Sequence, residues 1–331
     1  MDDNFIYMNR RLFLKMGVAT FLASYAEMLF SHSVATQPVS ATGFTPVTCE
    51  NVPAGPDDLK IRFLGTGAAG WKPGSKGRRM SSVLVDNKFF IDFTLSVEDM
   101  LPKDVHPTEI FYTHSHGDHF QPQRALLQGI KKVYLSETWK DKAELIFRKA
   151  AEETSRDMPE IIPLKIGQSV EIHDIRVTPL PANHATSNID EQALIYLLEK
   201  GSDVNHLGVR LLYATDTGGL MGKASRLAGI DSHLKPGRPI TAFVMEATMG
   251  IHHDEDFRIF NHSSALTVSR IVNMLTETGR YLPPAGQPAY LTHMSNSLHD
   301  RLSQDELNAV LPIPLRAAYD GLDVVFHPYK P

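Results

Sequence analysis

Cysteine is nearly absent: Cys49 is the single one in 331 residues. One thiol can form neither an intramolecular disulfide framework nor a thiolate-rich zinc site, so any metal must be held through nitrogen and oxygen. Blocks of like charge are missing too. The formal charge is −5 and the pI near 6.3, and neither end carries the basic run that serves as a nucleic-acid arm. No stable nucleic-acid partner is expected. Nor is there an apolar run of the length a bilayer demands. The candidate, Met16 to Phe30, is about 15 residues long and contains Ser24, Tyr25 and Glu27, which is too short and too polar to span roughly 30 Å of hydrocarbon. The mature form is therefore expected to have no integral membrane segment. What is present is a globular composition, 42% hydrophobic and 21% charged, in a length that suits one large domain or two ordinary ones.

Asn9-Arg10-Arg11-Leu12-Phe13-Leu14-Lys15 resembles the twin-arginine export signal, an arginine pair followed by a hydrophobic residue, Phe-Leu and Lys. The apolar stretch follows directly, and Ser33-Val34-Ala35 supplies the small residues that a signal peptidase reads. Residues 1–35 are thus expected to be a twin-arginine signal peptide, with the export machinery as partner and the periplasm as destination. The plainer alternative is a surface amphipathic helix that starts with two exposed arginines. Met8 is a candidate start, because the segment before it adds Asp2 and Asp3, which a positively charged leader does not want. Residues 36–56 read as a linker or mature N-terminal tail, and 57–331 as the folded domain.

Short β-type runs open that domain at Lys60 to Leu64, Ser82 to Val85 and Phe89 to Asp92, the last two forming a hairpin about Asp86-Asn87. Glu109 to Thr113 is another apolar run, and it stops at a histidine cluster. Thr138 to Glu153 has helical spacing through Ala143, Ile146, Phe147 and Ala150. Strand-like runs recur at Val170 to Leu180, Ala193 to Leu198, Arg210 to Ala214, Ile240 to Met245, Ala289 to Thr292 and Asp323 to Phe326. Helices fit Ser264 to Thr276, with a Leu266, Ile271 and Leu275 stripe, and Gln304 to Leu311. Many strands with fewer helices suggest two sheets with helices packed outside. Ile110-Phe111-Tyr112-Thr113-His114 is faintly echoed by Tyr290-Leu291-Thr292-His293, each with a histidine just past a strand end.

The chemistry concentrates in His114-Ser115-His116-Gly117-Asp118-His119, three histidines and one aspartate in six positions. Imidazole suits zinc and other borderline metals, and a carboxylate can help hold a second ion. Such ions need further ligands from elsewhere in the chain. Three candidates stand at strand ends: His184, Asp216 and His293. Each of them alone is an ordinary polar residue.

The order His-x-His-x-Asp-His, then His, Asp and His resembles the ligand series of the metallo-β-lactamase superfamily, over roughly Arg62 to Val325. Phe63-Leu64-Gly65-Thr66-Gly67, Arg79-Met80-Ser81-Ser82, Tyr213-Ala214-Thr215-Asp216-Thr217 and Ala318-Tyr319-Asp320-Gly321 look most like the branch of the tRNA 3′-processing nuclease and the phosphoribosyl cyclic phosphodiesterase. The resemblance implies an α+β fold, a four-layer αββα sandwich. It also implies two divalent ions, zinc before manganese or iron. One is held by His114, His116 and His184, the other by Asp118, His119 and His293, with Asp216 bridging. Glu246-Ala247-Thr248 and Asn261-His262-Ser263-Ser264 resemble the carboxylate-oriented histidine of the nuclease branch, which protonates the leaving group. His262, Glu246 and Asp118 are the expected catalytic residues. Ser263 or Asn261 as a simple helix cap, with His262 merely exposed, is the bland alternative. His252 and His253 are adjacent and read as loop residues.

Two family features are missing. No cysteines follow Gly65-Thr66-Gly67, so the structural zinc of the cyclic phosphodiesterase has no ligands in Trp71 to Arg78. No long arm fits between His184 and Asp216, which speaks against transfer RNA processing. The expected function is an exported hydrolase of a small phosphodiester, possible cyclic ones included, attacked by a hydroxide shared between the ions. The alternatives are a lactone or β-lactam hydrolase and, from another class, a non-catalytic metal-binding protein.

Overall fold

Alternating burial starts the fold: β1 (Leu59–Gly65) turns Leu59, Ile61 and Phe63 fully inward and leaves Lys60 and Arg62 half-buried. The computed structural model describes residues 50–203, 206–230, 237–251, 253–254, 257–299, 302–312 and 314–329. The expected leader, residues 36–49 with Cys49, and His252 lie outside them. β1 pairs antiparallel with β2 (Ser82–Val85), which turns into β3 (Phe89–Ile91). Asp86 and Asn87 make that turn in the left-handed region, at φ 49° and 59°, a conformation that Asp and Asn tolerate better than most side chains. β4 (Glu109–Phe111), β5 (Lys132–Ser136) and β6 (Glu160–Leu164) add in parallel. Parallel pairing needs crossovers, and these carry α1 (Pro122–Gln128) and α2 (Lys140–Thr154).

The second half repeats that plan. β7 (Val170–Ile172), β8 (Ile175–Pro181), β9 (Leu194–Lys200) and β10 (Val209–Ala214) form an antiparallel meander. Crossovers through α3 (Gly222–Leu227), α4 (Ala265–Glu277), α5 (Asn296–His299) and α6 (Gln304–Val310) add β11 (Ala242–Glu246), β12 (Ala289–Thr292) and β13 (Leu315–Ala317) in parallel. β14 (Asp323–Phe326) returns beside β1. Two seven-stranded sheets result, in the orders β14-β1-β2-β3-β4-β5-β6 and β13-β12-β11-β10-β9-β8-β7.

Three apolar cores separate four layers. Phe63, Phe111, Tyr196 and Tyr213 lie between the sheets, where Phe111 stacks on Tyr134 at 4.3 Å and meets Tyr196 edge-on at 5.7 Å. Leu126, Trp139 and Phe147 join the first sheet to its helices, and Ala224, Val268, Val272 and Leu307 join the second sheet to its own. This is the expected αββα sandwich. Among the described residues no helix is long and apolar enough to cross a membrane.

Several expected elements differ in detail. Val170 to Leu180 is not one strand but a hairpin, reversed at His173 with φ 55°. The buried stripe of α4 is Ala265, Val268, Val272 and Leu275, while Leu266 and Ile271 are only half-buried. The cap of that helix is Ser264, whose hydroxyl accepts from Thr267 N at 3.0 Å, and neither Ser263 nor Asn261. Glu50 and Asn51, within the expected tail, already bond to β14. The Gly65 and Gly67 positions admit no side chain: a Cβ there would sit 2.0 Å from Met80 O and 2.7 Å from Arg78 O.

His184, Asp216, Glu246 and His293 follow or end β8, β10, β11 and β12. β8 and β10 both run antiparallel to β9, and β11 and β12 run parallel to β10. All four residues therefore gather at one edge of the second sheet.

Candidate metal centre

The histidine loop is built on Asp92. This acid leaves β3 at φ 58° and is 1% exposed. Its Oδ1 accepts from Thr113 N at 2.9 Å and its Oδ2 from Thr113 Oγ1 at 2.8 Å, which fixes the chain as it leaves β4. His119 N and Phe120 N both donate to His116 O, at 3.0 and 2.8 Å. That tight turn sends His114, His116, Asp118 and His119 to one side.

The three distant residues meet them there. His116 Nδ1 lies 2.9 Å from His114 Nε2 and 3.2 Å from His184 Nε2. His119 Nε2 lies 3.2 Å from His293 Nε2, and Asp118 Oδ2 is 3.5 and 3.7 Å from these two nitrogens. Asp216 stands between the groups. Its Oδ2 is 3.0 Å from His119 Nε2 and 3.2 Å from His293 Nε2, while its Oδ1 is 3.8 Å from His184 Nε2. All seven expected ligands thus converge, and both expected triads form clusters whose donor atoms lie within 4.8 Å of one another.

The ring partners decide which nitrogens face inward. Thr113 Oγ1 donates to Asp92, so it accepts from His114 Nδ1 at 3.0 Å. Thr248 Oγ1 donates to His293 O, so it accepts from His293 Nδ1 at 2.8 Å. His119 Nδ1 donates to Asp92 Oδ2 at 2.7 Å, and His184 Nδ1 to Asn261 O at 3.1 Å. In all four rings Nδ1 is thus the nitrogen engaged outside, and Nε2 is the one that faces the centre, as a lone pair wherever the ring carries no second proton. Lone pairs about 3 Å apart repel unless a cation lies among them. Asp216 Oδ2, buried without a hydrogen-bond partner, adds to the same demand. The donor set fits divalent metal ions, with imidazoles and carboxylates and no thiolate.

Electrostatics lead to the same conclusion. Burial, with the neighbouring His119, holds His114 well below the usual imidazole range, and burial also lowers His184; both rings are held towards the neutral form that a metal ligand needs. Burial opposes charge on His119, yet Asp216, Asp118 and Asp92 outweigh it and hold this ring well above its ordinary range. Asp118 and Asp216 resist their own burial through the surrounding histidines and stay ionised. Positive charge is required at this spot, from a proton on His119 or from a cation.

His262 stands beside the candidate ligands. Its Nδ1 is 3.2 and 3.3 Å from the two oxygens of Glu246 and 3.8 Å from Asp216 Oδ1. Glu246 is fully buried and also accepts from Thr217 N at 2.7 Å and Thr248 N at 3.2 Å. Burial lowers the His262 pKa, but the charge and hydrogen bond of Glu246, with Asp216 and Asp118, push it up to about 9. Ser263 stitches two site loops together, accepting from Gly219 N and donating to Thr217 O. His253 is exposed.

Two acids escaped the sequence reading, Asp92 and Glu191. Glu191 accepts from Ser115 N and Ser115 Oγ, at 2.7 and 2.6 Å. A lone acid carries no spacing pattern, and only the apolar Phe89 to Ile91 run ending at Asp92 offered a signal.

The fold and this donor set define a class, and the comparisons with known proteins agree. The family model of the β-lactamase superfamily domain matches residues 92–294, from Asp92 to the residue after His293. The chain belongs to that superfamily. Solved structures share its fold. The metallo-β-lactamase fold protein YhfI from Bacillus subtilis has a TM-score of 0.55 at 15% identity, covering 81% of this chain and 99% of that one. Zn²⁺-bound PqqB from Methylobacterium extorquens has a TM-score of 0.53 at 15% identity, covering 80% and 99%. A long-form RNase Z from yeast has a TM-score of 0.53 at 16% identity, covering 81% of this chain and 42% of that one. A comparison with curated proteins finds no match.

Proposed function

We propose that this chain is an exported two-metal hydrolase of a small phosphodiester, cyclic diesters included. His114, His116 and His184 hold one divalent ion, and Asp118, His119 and His293 the other. Asp216 serves both, with its two oxygens facing different sets. Zinc suits this mixture of imidazole and carboxylate. When bound, the ions supply Lewis acidity and a water of lowered pKa.

The observation that carries the reading is the Glu246–His262 pair. Glu246 accepts from Nδ1 and thereby leaves Nε2–H as the free donor of a ring protonated at neutral pH. A donor additional to the ligands is what the departure of a poor alkoxide from phosphorus needs, and such general acids contribute about 10²- to 10⁴-fold. Asp118, ionised beside His119, can accept a hydrogen bond from the attacking water. The motifs that resemble the nuclease and cyclic phosphodiesterase branch support phosphorus over carbon as the centre attacked. Export rests on the Arg10-Arg11 leader.

A turnover panel tests this proposal. The metal-loaded protein is expected to cleave bis-p-nitrophenyl phosphate well above its His114→Ala variant. Opening of lactones or β-lactams with no such difference on the phosphodiester would overturn it. His262→Ala is expected to slow alkyl diesters far more than p-nitrophenyl ones, because a good leaving group needs little protonation.

A further inference from the structure

The loop between β8 and β9 meets the metal centre at both ends. His184 opens it as a ligand of one proposed set. Near its close, Glu191 is 7% exposed and places Oε1 2.7 Å from Ser115 N and Oε2 2.6 Å from Ser115 Oγ. Ser115 is the residue between His114 and His116. Leu194 N, just beyond, donates to Thr113 O at 2.8 Å, so the strap is fastened on both sides of His114. Among the described residues Glu191 makes no ion pair. Burying a carboxylate without a cation is costly, and here both oxygens are committed to a single residue.

We infer that Glu191 is a positioning residue for the set His114, His116 and His184. Its two bonds fix the backbone turn at Ser115, from which the flanking rings are aimed at the third ring. One loop thus supplies a ligand directly and orients the other two. The second set is oriented by other groups: His119 by Asp92 and His293 by Thr248. The inference rests on the two-metal reading above and adds a selective consequence, since outer partners of ligands typically contribute about 10- to 100-fold in metal affinity.

The test is a zinc titration of the metal-stripped full chain against a competing chelator. The wild type is expected to take up two equivalents. Glu191→Ala is expected to weaken one of them by about 10- to 100-fold, leave the other nearly unchanged, and unfold with the wild-type midpoint when metal-free. Glu191→Gln, which keeps one acceptor, and Ser115→Ala, which removes only the hydroxyl, should weaken the same equivalent by less; they also provide the readout if Glu191→Ala does not fold. Wild-type affinity at both equivalents, or an equal loss at both, overturns the inference. A wild type that takes up no zinc overturns the metal reading itself, and this inference with it.

Discussion

His119 Nδ1 donates to Asp92 Oδ2 at 2.7 Å, and that same oxygen accepts the hydroxyl of Thr113, which in turn accepts from His114 Nδ1. One buried acid therefore orients a histidine of each proposed metal set.

Asp92→Ala is expected to lower affinity for both ions, each by about 10- to 100-fold. Chelator competition measures this, and the contrast with the selective effect of Glu191→Ala separates the two acids.

The Glu246–His262 pair makes a pH prediction. A histidine raised to about 9 donates its proton below that value and loses it above. kcat/KM is expected to fall as pH rises through about 9. In Glu246→Gln the main raising charge is gone, so the falling limb should move down towards the ordinary histidine value of about 6.5. A pH–rate profile of both proteins decides it.

Packing predicts opposite outcomes on one helix. Phe147 on α2 is fully buried, whereas Leu145 is 68% exposed. Phe147→Ala should cost about 3–5 kcal/mol, and Leu145→Ala no more than about 0.5 kcal/mol. Urea unfolding measures both.

Asp323 ties β14 to β1, with its oxygens 2.6 Å from Arg62 Nε and Nη2 and 2.8 Å from Lys60 Nζ. Burial pushes its pKa up, but hydrogen bonds from Arg62 and Lys60 outweigh this and hold it below 3.8. A depressed carboxylate stabilises the fold above its unfolded pKa and ceases to do so as pH falls through its folded one. Asp323→Asn should lower Tm at pH 7, and the gap from wild type should narrow on acidification. Melting curves across that range test the sign.

The candidate ligands were legible because they are dense or ordered. His114 to His119 crowd six positions, and His184, Asp216 and His293 follow strand ends in the superfamily's sequence. The acids that orient them were not legible. Asp92 lies 21 residues from Thr113 and Glu191 lies 76 from Ser115, separations at which only the completed sandwich makes contact. Most strands with an apolar run were read, but β5 and the short β13 were not, and β6 was missed because Pro163 interrupts it at a sheet edge. The break between β7 and β8 was hidden because apolar alternation does not record the left-handed φ of His173.

The most direct measurement is metal content by elemental analysis after exhaustive dialysis, on the wild type and on Asp216→Ala, with phosphodiester turnover followed on the same samples. About two divalent ions per wild-type chain, fewer in the variant, and turnover that follows occupancy are expected. Full turnover from a chain carrying less than one ion would contradict the proposed centre.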